Sequence, residues 1–322
     1  MLILTGGAGF IGSAFLWKLN TEKITDIIIV DKLRCRDKWK NLNKKTFSDY
    51  IDKDRFLDLL EAGKLPKPDT IVHMGACSST TETNADYIME NNFIYSRRIA
   101  EWCLKNDVKL IYASSAATYG DGSQGYSDAD ADTGKLLPMN MYGYSKHLFD
   151  LWILKNSLQN KLTGFKYFNV FGPNEYHKDD MRSVVCKAYQ QIRKKGFLQL
   201  FRSHKTGIRH GEQKRDFVYI KDVLKVMYYF YEHRERSGIF NLGTGQARSF
   251  NDLAKAVFKA MKKKTDIRYI PMPENIRDRY QYFTQADLKK LRLAGYQKDF
   301  DPLDESIRDY VQNHLSRQDP YL

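Results

Sequence analysis

This sequence predicts a doubly wound α/β fold, in which a parallel sheet is covered by helices on both faces, and three features carry the prediction. An apolar run at residues 2–4 passes into Thr5-Gly6-Gly7-Ala8-Gly9-Phe10-Ile11-Gly12 and then into an amphipathic stretch, the order of a strand, a phosphate loop and a helix. A second apolar run, Ile27-Ile28-Ile29-Val30, ends in Asp31, about 20 residues past the last glycine of that loop. Further short apolar runs, Thr70–Met74 and Lys109–Ala113, are separated by a helical segment from about Asp86 to Leu104, so strands and helices alternate.

Each element has a physical reason. Gly6, Gly9 and Gly12 let the backbone turn tightly, approach a pyrophosphate without a Cβ in the way, and point helix N–H groups at the anion. Asp31 stands where an acid bonds the adenosine ribose of a dinucleotide, and alone it favours NAD because a carboxylate repels a 2'-phosphate. Lys32, Arg34, Arg36 and Lys38 follow at once and Lys53 lies further on, so NADP is favoured. Ligands of such sheets gather at the carboxyl ends of strands, where Gly75-Ala76-Cys77-Ser78 and Ser114-Ser115-Ala116-Ala117 fall. The polar stretch Asp121–Gly134 reads as a mobile loop, and Phe250–Met261 as a helix closed by Lys262-Lys263-Lys264.

With 322 residues, 42% of them apolar, the chain is long enough for one large domain and a smaller lobe. The expected division is a dinucleotide-binding domain over residues 1–170 with a returning segment at about 214–245, and a substrate-binding lobe from 171–213 and 246–322. Cys35, Cys77, Cys103 and Cys186 have neither paired nor Cys-x-x-Cys spacing, so no disulfide framework or metal site is indicated, and a reducing cytosol fits. No apolar run approaches the ~18 residues of a membrane span, and a phosphate loop beginning at residue 6 leaves no room for a signal peptide. The net charge of +13 is dispersed over the chain without a nucleic-acid module, so the expected partners are anionic small molecules rather than nucleic acid or membrane.

The chemistry is expected in Met141-Tyr142-Gly143-Tyr144-Ser145-Lys146, at the start of a helix whose spacing sets Tyr142 and Lys146 on one face. A free tyrosine has a pKa of about 10, so a phenolate base near neutrality needs a shift of roughly three units, or about 4 kcal/mol. An ammonium one turn away and a positively charged nicotinamide can supply it. Ser115, on the neighbouring strand end, is placed to hydrogen-bond the reacting oxygen.

These residues resemble the extended short-chain dehydrogenase/reductase superfamily. The likeness runs through the glycine loop, Ser115 ahead of Ala116-Ala117-Thr118-Tyr119-Gly120, the Tyr142/Lys146 pair, Tyr167–Pro173, Lys214–Tyr219 and Phe240–Gly245, nearly the whole chain. It implies a Rossmann domain with a smaller α/β lobe, and an enzyme that modifies a nucleotide sugar. Gly75–Glu82, Glu175-Tyr176-His177-Lys178 with Met181 beyond, and Arg279-Tyr280-Gln281 ahead of Phe283–Leu288 are most similar to the branch whose members invert C6 of an ADP-heptose for lipopolysaccharide.

By position, the resemblance makes Tyr142 and Lys178 the two acid/base residues, with Ser115 and Lys146 beside them. Phe10, Ile11, Asp31, Lys32, Lys38, Lys53, Met74, Gly75, Ala76, Cys77, Ser78, Asn91, Lys146, Val170 and Lys178 are the implied NADP contacts, with Gly6, Gly9 and Gly12 of the loop. Asn169, Asp180, Lys187, Phe201, Arg202, Ser203, His204, Arg215 and Tyr280 are implied for the ADP-heptose, and the assembly implied is a ring-like homo-oligomer such as a pentamer. Met74, Asp180 and Lys187 depart from the residues relatives carry there, and Ser203–Gln213 is longer than usual. Inverting a carbinol by oxidation and re-reduction needs a proton acceptor and a proton donor on opposite sides, which Lys178 fits if desolvation lowers its pKa. The alternatives are a nucleotide-sugar 4-epimerase, a 4,6-dehydratase and a non-catalytic dinucleotide sensor. Ala116-Ala117 stand where dehydratases carry an Asp-Glu pair, and the intact Ser115, Tyr142 and Lys146 speak against a sensor.

Overall fold

The computed structural model describes all of the chain except Arg34, Cys35, Arg36, Thr81, Asp278 and Arg279, so the expectations for Arg34, Arg36 and Arg279 lie outside the described residues. The strands are β1 (Leu2–Thr5), β2 (Ile27–Asp31), β3 (Asp49–Asp52), β4 (Thr70–His73), β5 (Lys109–Ser115), β6 (Leu162–Tyr167), β7 (Asn169–Phe171), β8 (Leu198–Phe201), β9 (Lys214–Tyr219), β10 (Gly238–Leu242), β11 (Ala247–Ser249) and β12 (Ile267–Ile270). The helices that matter here are α1 (Phe10–Thr21), α2 (Lys53–Glu61), α3 (Ala85–Met89), α4 (Tyr95–Lys105), α5 (Asp130–Thr133), α6 (Met141–Lys155), α7 (Val184–Lys195), α8 (Ile220–Glu232) and α9 (Phe250–Ala260).

A seven-stranded sheet in the order β10-β6-β5-β4-β1-β2-β3 forms the centre, and all its neighbours pair in parallel. Strands covered on both faces favour apolar residues at every position, which is why Leu2–Leu4 of β1 and Ile27–Val30 of β2 are continuous runs of Leu, Ile and Val, and neither strand has an exposed residue. Alternate residues serve opposite faces. Leu2 and Leu4 pack with Phe15 and Leu16 of α1 and Phe230 of α8, while Ile3 packs with Phe56 of α2, Ile99 of α4 and Phe149 of α6.

Beyond the large sheet, β9 pairs with β7 and β11, and β8 pairs with β12. Of the returning segment, β10 completes the large sheet while β9 belongs to the smaller three-stranded one. No described helix is long and apolar enough to cross a membrane.

Two local expectations change. The segment read as one helix from Asp86 to Leu104 is α3 and α4 joined by a π-helical turn, Glu90–Ile94. The stretch 121–134 is pinned rather than loose: Asp128 accepts the Asn241 N–H at 2.7 Å, Asn241 Nδ2 donates to the Tyr126 carbonyl at 2.8 Å, and the Tyr126 ring meets Tyr119 edge-on at 5.4 Å. Its polar composition concealed those anchors.

Candidate active site

The sheet order reverses between β1 and β4, where the chain leaves in opposite directions, and the crevice beyond that point is where an open α/β sheet binds its ligand. A cleft of about 1200 Å³ opens there. Gly6 forms its floor at φ +67°, and a Cβ on it would come within 2.6 Å of the Gly75 nitrogen, so the two strand-end loops touch only because Gly6 has no side chain. Gly9 caps α1 without a side-chain hydrogen bond, which leaves the first-turn N–H groups to an incoming anion. That cradle fits a pyrophosphate.

At the ribose end, Asp31 is buried. Its carboxylate accepts the Ala8 N–H at 2.8 Å and the Lys32 N–H at 2.6 Å, and it forms an ion pair with Lys38. Lys53 bonds Asn91 and lies 4.9 Å from the centre of the Tyr95 ring. Lys38 thus already balances the negative charge that would repel a 2'-phosphate.

The reacting end is built by α6 and β5. Asn140 caps α6 by accepting the Gly143 N–H at 2.8 Å, and a Cβ on Gly143 would sit 2.6 Å from the Ala117 carbonyl oxygen, so the helix can press against the turn that follows Ser115. Lys146 is buried and donates to the Ala113 carbonyl at 2.7 Å. Burial lowers its pKa to about 8, against the pull of Asp150 and Cys77. For Tyr142, burial raises the pKa and the hydrogen bond with Ser115 works in the opposite direction. In the protein alone desolvation prevails and holds the phenol above its ordinary value.

Lys178 reaches the same cleft from the turn Tyr176–Met181, its ammonium 5.6 Å from the centre of the Phe10 ring. Burial lowers its pKa, with Glu175 working the other way. Glu175 is itself buried and occupied, accepting from the Ser183 hydroxyl at 2.7 Å and the Tyr310 hydroxyl at 3.0 Å. One side chain joins this turn to the glycine loop: Asn41 Nδ2 donates to the Ala8 carbonyl at 2.9 Å and the Asn174 carbonyl at 3.1 Å, and lies 3.2 Å from His177 Nδ1.

Among the described residues, the cleft gathers every one expected to act on the cofactor or in catalysis, from Gly6 through Lys178, together with Asn169, Arg215 and Tyr280. Arg215 is buried, donates to the Lys214 and Gln281 carbonyls and lies over the Tyr280 ring at 5.3 Å. Its neighbour Asp216 is satisfied instead by the Thr244, Gly245 and Ala286 N–H groups, so Arg215 is not one half of an ion pair with it. Asp180, Lys187 and residues 201–204 do not line the cleft. Lys187 is exposed and donates to the Asp180 carbonyl at 2.5 Å, and the His204 N–H donates at 2.9 Å to the hydroxyl of Tyr282, whose ring packs on Tyr280 of the cleft.

Sequence reasoning missed Asn92. Fully buried in the π-turn, it accepts the Cys77 N–H at 2.8 Å and donates to the Cys77 carbonyl at 2.9 Å and the Ser145 hydroxyl at 3.0 Å, so it clamps the loop after β4 to α6. The signal was present: Ile88, Asn92, Ser96 and Ile99 form one buried stripe, and an amide inside it calls for partners.

The model of the NAD dependent epimerase/dehydratase family matches residues 2–243. Over their full lengths, this chain is 51% identical to the ADP-L-glycero-D-manno-heptose-6-epimerase of Nitratidesulfovibrio vulgaris and 49% identical to that of Fusobacterium nucleatum. Among solved structures, the Helicobacter pylori ADP-L-glycero-D-manno-heptose-6-epimerase superposes with a TM-score of 0.80 at 29% identity, covering 97% of this chain and 95% of that one. A glycine cradle at the switch point and a tyrosine, a serine and two lysines around one cleft accord with that likeness. The chain belongs to the NAD dependent epimerase/dehydratase family and, within it, to the ADP-L-glycero-D-manno-heptose-6-epimerases.

Proposed function

We propose that this chain converts ADP-D-glycero-β-D-manno-heptose to ADP-L-glycero-β-D-manno-heptose, oxidising C6 to a ketone and reducing it again on the other face, and so serves lipopolysaccharide core synthesis. The observation that carries the reading is that Tyr142 and Lys178, from different elements, face one cleft whose other end is a dinucleotide cradle. NADP is the preferred cofactor because Lys38 neutralises Asp31 at the ribose end. The dinucleotide, when bound, supplies a reversible hydride acceptor and a positive ring.

The chain's own residues move the protons. Ser115 holds the C6 oxygen near Tyr142, and the Tyr142 phenolate removes its proton as the carbinol is oxidised. Arg215 and the Tyr280 ring beneath it grip the ADP portion while the ketone end turns over. Lys178, desolvated and without a carboxylate at ion-pair distance among the described residues, protonates the oxygen when hydride returns from the opposite side. Cys77, Cys103 and Cys186 are free thiols, which suits a cytosolic enzyme, and we place it there as a homo-oligomer.

Incubation with ADP-D-glycero-manno-heptose and UDP-galactose in parallel tests the assignment. Inversion of the heptose is expected, and inversion of UDP-galactose alone would replace it with a 4-epimerase.

A further inference from the structure

Directly behind the reacting residues lies a charged cluster that no step above uses. Asp150 and Lys166 are almost completely buried and paired at 2.6 Å. An ion pair withdrawn from water in this way is weak evidence for stability, because its desolvation offsets its attraction. Its connections are more telling.

Asp150 stands on α6 one turn beyond Lys146 and two beyond Tyr142, on the same face. One carboxylate oxygen accepts the Tyr112 hydroxyl at 3.0 Å, and the other accepts the Ser114 hydroxyl at 2.7 Å and the Lys166 ammonium. Lys166 lies on β6 in register with Ser114 and also donates to the Thr118 hydroxyl at 2.9 Å, which in turn donates to the Ser115 carbonyl at 2.9 Å. The carboxylate thus ties the helix carrying Tyr142 and Lys146 to the strand end and turn carrying Ser115.

We propose that Asp150 and Lys166 are positioning residues for the reaction, holding Ser115 in register with the Tyr142/Lys146 face of α6 and setting a fixed negative charge one turn beyond Lys146. Among the described residues, Asp150 on its own helix and Cys77 in the loop after β4 act on Lys146, Lys146 in turn acts on His73 at the end of β4, and Tyr142 stands one turn back on the same helix face. Burial holds His73 neutral, its pKa lowered to about 3. Asp150 is the stronger of the two groups that favour the charged form of Lys146. Removing it makes Lys146 lose its proton at lower pH.

The inference rests on reading Tyr142 and Lys146 as reacting groups, so Tyr142→Phe is measured beside it. The test is the pH dependence of kcat for Asp150→Asn, Lys166→Arg and the double variant Asp150→Asn/Lys166→Met, which removes both charges and leaves neither one buried alone. Lys166→Arg, which keeps a donor to Asp150, is expected to stay within about 3-fold of the parent. The double variant is expected to fold and retain its dinucleotide, lose at least about 10-fold in kcat with KM little changed, and have the alkaline limb of its profile displaced to lower pH. Should Asp150→Asn alone fail to fold, the double variant carries the test. A double variant with parental kcat and an unmoved alkaline limb, while Tyr142→Phe is inactive, would overturn the inference and leave the pair structural. An active Tyr142→Phe would instead remove the reading beneath it.

Discussion

Replacing Lys178 by Met separates a proton donor from a binding cation. The side chain keeps its length and loses its charge. No carboxylate among the described residues stands within ion-pair distance of the ammonium, and the nearby Glu175 retains its bonds from Ser183 and Tyr310, so the substitution leaves no acid unpaired. The attraction between the ammonium and the Phe10 ring, about 0.5–1 kcal/mol, disappears, and relief of the desolvated charge offsets it. A net change within about 1 kcal/mol moves Tm by no more than roughly 2–4 °C. A general acid/base contribution is about 10²–10⁴-fold, equivalent to about 3–5 kcal/mol in the barrier. Those magnitudes do not overlap, so lost turnover cannot be mistaken for lost folding. The assay is kcat and KM for C6 inversion of the ADP-heptose, with thermal melting and retained dinucleotide measured on the same preparation. Lys178→Met with near-parental kcat and a raised KM would refute the two-base mechanism and leave Lys178 as a phosphate-binding cation.

Further outcomes follow from the same geometry. Denaturing the purified protein should release NADP, and Lys38→Met should shift its preference toward NAD, because Asp31 then regains an unbalanced carboxylate; release of NAD alone by the parent protein would contradict this. Turnover in heavy water should leave the product C6 unlabelled by mass spectrometry, whereas stoichiometric deuterium there would require deprotonation beside a carbonyl instead of direct oxidation. Gly143→Ala should lower kcat while the dinucleotide stays bound, since its Cβ would lie 2.6 Å from the Ala117 carbonyl and push α6 off the Ser115 turn; unchanged kcat would place that approach outside catalysis. Lys146 must be charged to stabilise the Tyr142 phenolate, and its depressed pKa means that it is protonated below about 8 and loses its proton above, so kcat should decline as pH rises through that value.

The central sheet was legible because parallel strands buried on both faces carry short apolar runs, as at Leu2–Leu4, Ile27–Val30, Ile71–Val72 and Leu110–Ala113, with the glycine loop directly after the first. Tyr142 and Lys146 were legible because helical spacing alone puts them on one face. Lys178 was not readable from pattern, since a lysine in a polar turn has no periodicity, and its place came from resemblance. Two features escaped for a shared reason. The π-turn that buries Asn92 and the anchoring of 121–134 through Asp128 and Asn241 both depend on polar side chains meeting partners far away in sequence: the stripe around Asn92 shows that an amide is buried there, but local hydropathy names neither its partners nor those of Asp128. Asp180 and Lys187, inferred for the substrate from position, stand on the exposed side of their turn and helix.

The amide of Asn41 donates to Ala8 of the glycine loop and to Asn174, and lies beside His177, so it ties the cofactor cradle to the turn bearing Lys178. On the proposed function, a dinucleotide that fixed the loop would through this amide also bear on the turn carrying Lys178, and cofactor occupancy and sugar-nucleotide affinity would then form a thermodynamic cycle. Linkage makes the effect reciprocal, and whatever factor the dinucleotide adds to sugar-nucleotide affinity, the sugar nucleotide returns to the dinucleotide. For an enzyme that reuses one cofactor molecule at every turnover, such coupling would favour keeping the dinucleotide in place for as long as the sugar nucleotide occupies the cleft.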